Sequence, residues 1–303
     1  MRKVIYLPLF ITLLFFCRNN AFSQTAAVDT IGDNVKSGKK ASIKFGVNYI
    51  SNSVYLGRAD TVNTPIIEPS IKYTFKNGIY VSGNLEYIPN RLTNRLDAGS
   101  VAAGYEFDIT DDLSGSTSFT KLFYNATSTQ IGSSIASTIN ANLDYDIAGI
   151  ITPSLSVDYN LLKQGFGSDI LINAGLAHDF AWEGIFGDKD ILIISPTATL
   201  NAGTQNFYDA YFTLKKYKLT KAGKAKEAAA EKLIVKRKAQ LSQFEMLDYE
   251  FSVPIEYKAG PVIFSITPTY ALAENKLPPR ITTGLVNSSS GLFYLETGVS
   301  LKF

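Results

Sequence analysis

The sequence contains few of the residues that build catalytic and metal sites. It has one cysteine, Cys17, and one histidine, His178, among 303 residues. A single cysteine excludes an intrachain disulfide, and a single histidine without a thiol or second imidazole offers no transition-metal cluster. No Gly-x-Ser-x-Gly element is present to carry a nucleophilic serine. We therefore predict that the protein is not an enzyme, has no catalytic residues, and uses no metal and no cofactor.

The sequence also lacks the uninterrupted apolar run of about 18 residues that a transmembrane helix requires. Residues 1–23 instead combine a basic start, a largely apolar run of 13 residues and the small-residue motif Ala21-Phe22-Ser23. This combination is typical of a secretory signal peptide. We predict export, cleavage after residue 23, and a periplasmic segment over residues 24–41. A lipoprotein signal at Cys17 is the alternative, and the bulky Phe16 before the cysteine disfavours it.

What the sequence does contain is an alternation of apolar and polar residues with a period of two. Over residues 43–49 the odd positions are Ile, Phe, Val and Tyr, and the even positions are Lys, Gly and Asn. Asn77-Gly78 joins two further alternating runs, and this dipeptide is a strong hairpin signal. About twelve such runs lie between residues 42 and 303. The predicted fold class is therefore all-β, with antiparallel up-and-down strands.

The connections between the predicted strands alternate between tight turns and longer loops. The longer ones cover residues 52–64, 88–96, 125–132, 162–168, 203–245 and 273–290. Short turns at one end and long loops at the other are the pattern of transmembrane β-barrels. A closed barrel pairs every strand edge, so it can span lipid where an open sheet cannot. We predict a transmembrane β-barrel over residues 42–303.

The last predicted strand, Phe293 to Phe303, alternates throughout and ends on an aromatic residue. It resembles the C-terminal signature of Gram-negative outer-membrane β-barrels, and the whole pattern is similar to that of porin-like barrels. The resemblance implies a location in the outer membrane, contact with its lipid, and recognition of Phe303 by the barrel-insertion machinery. A secreted β-sandwich or β-solenoid is the alternative, because alternation alone does not tell which face of a sheet points outward.

The polar face of the predicted strands is acidic. It carries twelve acidic residues and three basic ones if the apolar face is turned to lipid. Carboxylates at this density must stay hydrated or ion-paired, because burying a lone charge is costly. Rings of acidic residues attract cations and repel anions. We therefore predict a water-filled acidic lumen, with selectivity residues Glu86, Glu106, Asp158, Glu250 and Glu296.

These features predict a passive, porin-like channel for small polar or cationic solutes. The alternative is a non-conducting outer-membrane barrel that acts as a scaffold or uses its loops for surface interactions. Residues 55–58, with the sequence Tyr-Leu-Gly-Arg, resemble part of the first hairpin in two barrel families. One of these families is a group of proposed porins, and the other scaffolds murein enzymes. The sequence leaves the oligomeric state open.

One predicted loop is strongly basic. Residues 215–238 contain ten basic and two acidic residues, and an Ala-rich stretch within them favours a helix. We predict a charged helical insertion over residues 215–242. Basic segments bind anionic membrane surfaces, which makes lipopolysaccharide phosphate the expected partner of Lys224, Lys226, Lys236 and Arg237. The alternatives are a lid over the acidic lumen and a solvated helix without a specific task. Because the predicted location is outside the cytoplasm, we expect no binding to nucleic acid.

Two further features bear on the strands. Pro69, Pro196, Pro254 and Pro268 fall within predicted strands, although proline cannot donate to a strand ladder. We expect bulges or later strand starts at these positions. His178 lies near the short-turn end of its predicted strand, where it has no partner for catalysis.

Overall fold

The structure, a computed structural model, describes residues 40–60, 62–163, 167–187, 189–208, 241–274 and 291–303. These residues are almost entirely strands. In chain order the strands are β1 (Ser42–Ile50), β2 (Val54–Tyr55), β3 (Arg58–Ala59), β4 (Ile66–Thr74), β5 (Ile79–Tyr87), β6 (Leu96–Asp108), β7 (Leu113–Tyr124), β8 (Ile135–Tyr145), β9 (Thr152–Leu162), β10 (Ser168–Ala177), β11 (Phe180–Glu183), β12 (Asp190–Ile194), β13 (Thr197–Gly203), β14 (Glu245–Ser252), β15 (Ile255–Ala259), β16 (Val262–Ala273) and β17 (Leu292–Lys302). A short 3-10 helix covers Ile131–Ser134.

The strands form a closed antiparallel barrel in which each strand pairs with its neighbours in the chain. Strand β1 pairs with β4 on one side and with β17 on the other, and β17 also pairs with β16. Three barrel strands are each built from two segments, namely β10 with β11, β12 with β13, and β14 with β15. The described residues therefore form twelve barrel strands, which confirms the predicted up-and-down barrel. The hairpin of β2 and β3 is a separate two-stranded sheet.

The barrel is apolar outside and polar inside. Along β9, Val157 and Tyr159 are each 40% exposed, whereas Asp158 is 1% exposed and Asn160 is fully buried. The same alternation of exposed apolar and buried polar residues recurs around the barrel. A water-soluble sandwich or solenoid would bury its apolar face, so that alternative is wrong. This polarity suits a barrel surrounded by hydrocarbon, where every backbone amide is paired within the sheet.

The prolines lie where strand pairing is interrupted. Pro196 separates β12 from β13, and Pro254 separates β14 from β15. Pro268 lies inside β16, opposite the gap between β14 and β15, where the ladder between β16 and these two strands is interrupted. Pro69 lies in β4, next to a gap in the register with β5. The expected irregularities are therefore confirmed, because a residue without an amide hydrogen fits best where the ladder needs none.

The short turn after β4 confirms the Asn-Gly hairpin signal. The Gly78 amide donates to the Phe75 carbonyl at 3.0 Å, and the Phe75 amide donates to the Ile79 carbonyl at 2.7 Å. Gly78 has a φ of 86°, and a Cβ there would lie 2.1 Å from the Glu106 carbonyl oxygen. Only glycine fits this position. We call the end of the barrel that carries this turn the short-turn end, and the opposite end the long-loop end.

Helices are a minor part of the fold. Residues 206–208 and residue 241 are helical, and they flank a segment outside the described residues. In the part of the chain that the structure describes, none of the helices is both long and apolar enough to cross a bilayer. The predicted signal peptide and the periplasmic segment before residue 40 lie outside the described residues. The same is true of residues 215–240 of the predicted helical insertion.

Candidate functional site

The five predicted selectivity residues all lie on the inward face of the barrel, but at different heights. Glu106 is near the short-turn end and accepts a hydrogen bond from Lys72 Nζ at 2.8 Å. Glu86 is near the long-loop end and accepts one from Gln130 Nε2. Asp158, Glu250 and Glu296 are buried in between, on β9, β14 and β17. They therefore line the lumen without forming a single ring. Strand parity gives the face on which a residue lies, whereas its height in the barrel also depends on the register between strands.

The buried charge inside the barrel is almost all acidic. Among the described residues that are buried, eleven are acidic and one, Arg58, is basic. Nine of the acidic residues project from barrel strands into the interior, namely Glu68, Asp97, Asp144, Asp158, Asp169, Asp248, Glu250, Glu256 and Glu296. Asp60 lies in the first loop, and Asp190 lies on the outer face, where it accepts a hydrogen bond from the Tyr257 hydroxyl. Glu256 lies near a turn at the short-turn end, yet it is 1% exposed, and its Oε2 atom lies 3.4 Å from Lys258 Nζ. The inward face is therefore more acidic, and more deeply buried, than a solvated rim would be.

Amide side chains accompany these carboxylates in a belt across neighbouring strands. The belt consists of one inward residue from each of β8, β9, β10, β13 and β14, namely Asn140, Asp158, Asn173, Asn201 and Asp248. Asp158 accepts hydrogen bonds from Asn140 Nδ2 at 2.7 Å and from Asn173 Nδ2 at 2.9 Å. These donors satisfy a carboxylate that would otherwise be costly to bury. The sequence signal for the belt is asparagine at inward positions, and a count of charged residues alone misses it.

The lumen is not filled evenly. Along β8, β9 and β14 most inward side chains are buried, whereas along β5, β6 and β7 they are partly exposed although they point into the barrel. The partly exposed residues include Ser82, Asn84, Ser100, Gly104, Ser116 and Ser118. Small side chains leave room for water beside this wall. Open space therefore runs along the β5–β7 side of the barrel.

Near the long-loop end the inward side chains change from polar to apolar. We call this layer the apolar collar. It includes Ile50, Leu122, Ile135, Leu162, Leu171, Leu247 and Leu292, each buried. These leucines and isoleucines lie on the face that carries polar residues nearer the short-turn end. Strand parity alone does not reveal this apolar layer. Apolar side chains facing a lumen require something apolar to pack against.

The first loop provides that packing partner. Residues 51–60, which we call the plug, fold back into the collar and carry the hairpin of β2 and β3. The Tyr55 ring packs edge-on against Phe207 with centroids 5.0 Å apart, and Leu56 is 2% exposed in the same cluster. Burial raises the pKa of Tyr55 well above its usual range, and nearby Asp169 and Asp158 raise it further. The phenol therefore stays neutral against the acidic wall.

Arg58 joins the plug to three other parts of the chain. Its Nη1 donates to the Leu247 carbonyl at 3.1 Å and to the Leu56 carbonyl within the plug. Its Nη2 donates to Gln205 Oε1 at 3.1 Å and to the Glu274 carbonyl at 2.7 Å. The guanidinium carbon also lies 5.4 Å from the centre of the Tyr208 ring. With 1% exposure, this guanidinium exchanges its hydration for a cage of four oxygen atoms and one aromatic face.

A second polar cluster holds the loops on the other side of the plug. Asp97 accepts hydrogen bonds from Ser128 Oγ at 2.7 Å, from Gln130 Nε2 at 2.9 Å and from Arg91. Gln130 Oε1 in turn accepts a hydrogen bond from Ser53 Oγ at 3.0 Å. Asp97 thus connects the loops after β5 and β7, and Gln130 connects them to the plug. No sequence pattern predicts this cluster, because its partners other than Arg91 and Asp97 are 31 to 77 positions apart.

The remaining predicted residues lie at the short-turn end of the barrel or outside the described residues. His178 follows β10 at the short-turn end, as predicted, and its ring packs edge-on against Phe180 with centroids 4.2 Å apart. Within the described ranges, no group of three or more His, Cys, Asp or Glu residues is arranged to hold a metal ion. Lys224, Lys226, Lys236 and Arg237 lie outside the described residues. Phe303 lies at the short-turn end, where its amide donates to the Ile43 carbonyl at 2.9 Å.

A closed barrel of twelve strands with an apolar outer face and a polar lumen defines a porin-like outer-membrane β-barrel. No family model matches the sequence. No curated protein matches it either.

Solved structures show where this architecture recurs. The chain is similar to a KdgM porin, with a TM-score of 0.44, 10% identity and coverage of 86% of this chain and 99% of that one. It is similar to a NanC porin, with a TM-score of 0.45, 13% identity and coverage of 86% and 100%. The β-domain of the Bordetella autotransporter Brka also matches, with a TM-score of 0.37, 8% identity and coverage of 88% and 100%. At these values the likeness is confined to the general architecture.

Proposed function

We propose that the protein is a passive channel for small polar or cationic solutes in the outer membrane of a Gram-negative bacterium. Its long-loop end faces outward, and it performs no catalysis. The observation that supports this function is the charge of the barrel interior, into which nine buried acidic side chains project from the described strands. Carboxylates that line a low-dielectric enclosure raise the local concentration of cations and exclude anions.

The uneven filling of the lumen supplies a route. Solutes would pass along the β5–β7 wall, where small inward residues such as Ser116 and Ser118 are partly exposed. The amide–carboxylate belt lines the opposite wall. Its oxygen atoms can replace part of the water shell of a cation. Lys72 Nζ and Glu106 Oε1 lie 2.8 Å apart and form an ion pair between β4 and β6 near the short-turn end.

A non-conducting scaffold barrel is the second candidate, and a specific observation favours it. The plug and the apolar collar together occupy the long-loop end of the lumen. A barrel that is closed permanently at this level could not conduct. In that case its loops and its outer surface would carry the function.

The two candidates differ in planar-bilayer recordings under a KCl gradient. We would record the wild type and a variant in which a Gly-Ser linker replaces residues 52–60. For the channel we expect single-channel currents whose reversal potential is shifted from zero toward the equilibrium potential of K⁺. Replacing Glu86, Glu106, Asp158, Glu250 and Glu296 together by Gln or Asn should move the reversal potential toward zero, because five of the carboxylates that attract cations are removed.

Asp111 and Asp112 provide the control for loss of charge alone. Both are exposed in the turn between β6 and β7 at the short-turn end. Their replacement by Asn should leave the reversal potential near the wild-type value. Anion preference in the wild type would contradict the acidic lumen. Absence of current from both the wild type and the linker variant would favour the scaffold barrel.

We also propose that the basic loop binds phosphate groups of lipopolysaccharide through Lys224, Lys226, Lys236 and Arg237. Each basic side chain near an anionic surface contributes about 1 kcal/mol to binding. Replacing all four by Gln should therefore weaken binding of detergent-solubilised protein to lipopolysaccharide micelles by about a hundredfold or more. Equal binding by the wild type and this variant would contradict the role of the four basic residues. Outer-leaflet lipid would then contact only the wall of the barrel.

A further inference from the structure

The plug is attached to the barrel mainly through side chains. Its two strands, β2 and β3, pair with each other and form a sheet separate from the barrel. At its start, the Ser51 amide donates to the Leu295 carbonyl at 2.8 Å, and the Ser53 amide donates to the Thr64 carbonyl within the same loop. The plug can therefore leave the collar without breaking the ladder that closes the barrel.

The Arg58 contacts distinguish the plug from an ordinary folded loop. The Nη atoms of Arg58 donate to oxygens of Leu56, Leu247, Gln205 and Glu274, and three of these four acceptors are backbone carbonyls. The three acceptors outside the plug are 147 to 216 positions away in the sequence. One side chain therefore fastens the plug to β14, to the segment before the basic loop and to the end of β16. The acceptors are neutral, so they fit the planar cation without neutralising the acidic wall.

The position of Arg58 links this contact to conduction. It is the one basic side chain among the described buried residues, and Asp248 on the belt interacts with it electrostatically. The guanidinium thus occupies a part of the acidic lumen that a cationic solute would otherwise enter. Next to it, Gly57 lies so close to β16 that an added Cβ would be 2.9 Å from the Ala273 Cβ. The plug therefore fits against the wall with no space for a solute at this point.

We propose that residues 51–60 are a gate that closes the channel, and that the guanidinium of Arg58 holds this gate in the lumen. This inference rests on the proposed channel function and names its regulation. Release of Arg58 from its four acceptors lets the plug leave the collar and opens the route along the β5–β7 wall. The free energy of the Arg58 contact, together with the apolar packing of Tyr55 and Leu56, sets the fraction of time for which the channel is open.

The experiment compares the open probability of single channels in the wild type, Arg58→Ala, Arg58→Lys and the linker variant. We expect Arg58→Ala to raise the open probability about tenfold or more, because hydrogen bonds to a charged donor are among the stronger ones. Arg58→Lys should fall between, since an ammonium cannot reach four acceptors in one plane. The linker variant should stay open. Arg95→Ala is the matched control, because Arg95 is an exposed arginine in the loop after β5 and should behave like the wild type.

Free guanidinium tests the cage directly. Millimolar guanidinium chloride should reclose Arg58→Ala channels by filling the vacated cage, whereas ethylammonium chloride at the same concentration should not. Guanidinium should leave the linker variant open. If Arg58→Ala gates like the wild type while the linker variant conducts, the proposed role of Arg58 is wrong.

Hydrogen exchange separates failure of the gate from failure of the channel. In Arg58→Ala, the amides of Val54 and Ala59 should exchange about tenfold faster than in the wild type, because the plug opens more often. Unchanged exchange contradicts the role of Arg58 whatever the recordings show. If none of the variants conducts but the plug amides of Arg58→Ala exchange faster, the channel function is contradicted and the gate with it. The contact of Arg58 would still hold the plug in the lumen.

Discussion

Replacing Ala103 by Arg is expected to destabilise the folded barrel in a bilayer by about 2–4 kcal/mol, the cost of a cation on the lipid face near the midplane. Ala103 lies near the middle of β6, and its side chain is exposed on the outer face. Its partners in the neighbouring strands are Val81 and Phe119, both apolar and exposed. A charged side chain there has no water and no counterion within the hydrocarbon. Unfolding in urea, with the protein inserted in lipid vesicles, measures the loss.

The preceding residue provides a control of the same chemistry. Ala102 points into the barrel and is partly exposed there, opposite Ser82 and Thr120. Arginine at this position enters the hydrated, acidic side of the wall, so Ala102→Arg should cost far less than Ala103→Arg. Equal costs for the two variants, or a larger cost for Ala102→Arg, would contradict the assignment of the outer face to lipid.

Replacing Phe207 by Ala is expected to weaken the docking of the plug by about 3–5 kcal/mol, the usual cost of removing a buried phenyl ring. Phe207 is completely buried, packs edge-on against Tyr55, and stacks on Tyr208 with centroids 5.0 Å apart. Its loss would leave a cavity between the plug and the collar. Hydrogen exchange of the amides in β2 and β3 reports the change, and the barrel amides should exchange as before.

Phe186 is the matched control for loss of an aromatic ring. It lies in the turn between β11 and β12 and is 80% exposed. Phe186→Ala should change stability by no more than about 0.5 kcal/mol. If the amides of β2 and β3 exchange as slowly in Phe207→Ala as in the wild type, the aromatic cluster does not hold the plug. In that case the polar contacts of Arg58 and Ser53 would account for its position.

The lumen has two layers, one polar and one apolar, whose side chains make different contacts. The polar layer places carboxylates and amides where they can interact with a passing cation, and Asp158 with its two asparagine donors is its best-defined part. The apolar layer above it holds the plug through Tyr55, Leu56 and Phe207. In the proposed channel, selectivity and closure therefore depend on different residues. Variants of the belt should change which ions pass, and variants of the plug should change how often they pass.

The sequence by itself determined the barrel. Apolar and polar residues alternate with the period of a strand, and turns such as Asn77-Gly78 mark where the strands reverse. Both signals are local, because a strand and its hairpin are formed by residues close together in the chain. Parity also placed the inward acids correctly, since successive side chains of a strand must point to opposite faces. Each of the four prolines lies at an interruption of strand pairing, because proline has no amide hydrogen to donate to a neighbouring strand.

Only the tertiary structure decided how the lumen is filled. Leu122, Leu171 and Leu247 occupy inward positions, and by parity alone they look like exceptions to a polar face. Their apolar partner is a loop that is distant in the sequence. Arg58 in that loop finds its acceptors 147 to 216 residues away. Such contacts depend on which strands are adjacent after the barrel closes, and no local pattern records that. The period-two alternation of the sequence therefore specifies the wall of this barrel. The packing of the plug inside the barrel depends on which strands become neighbours when the barrel closes.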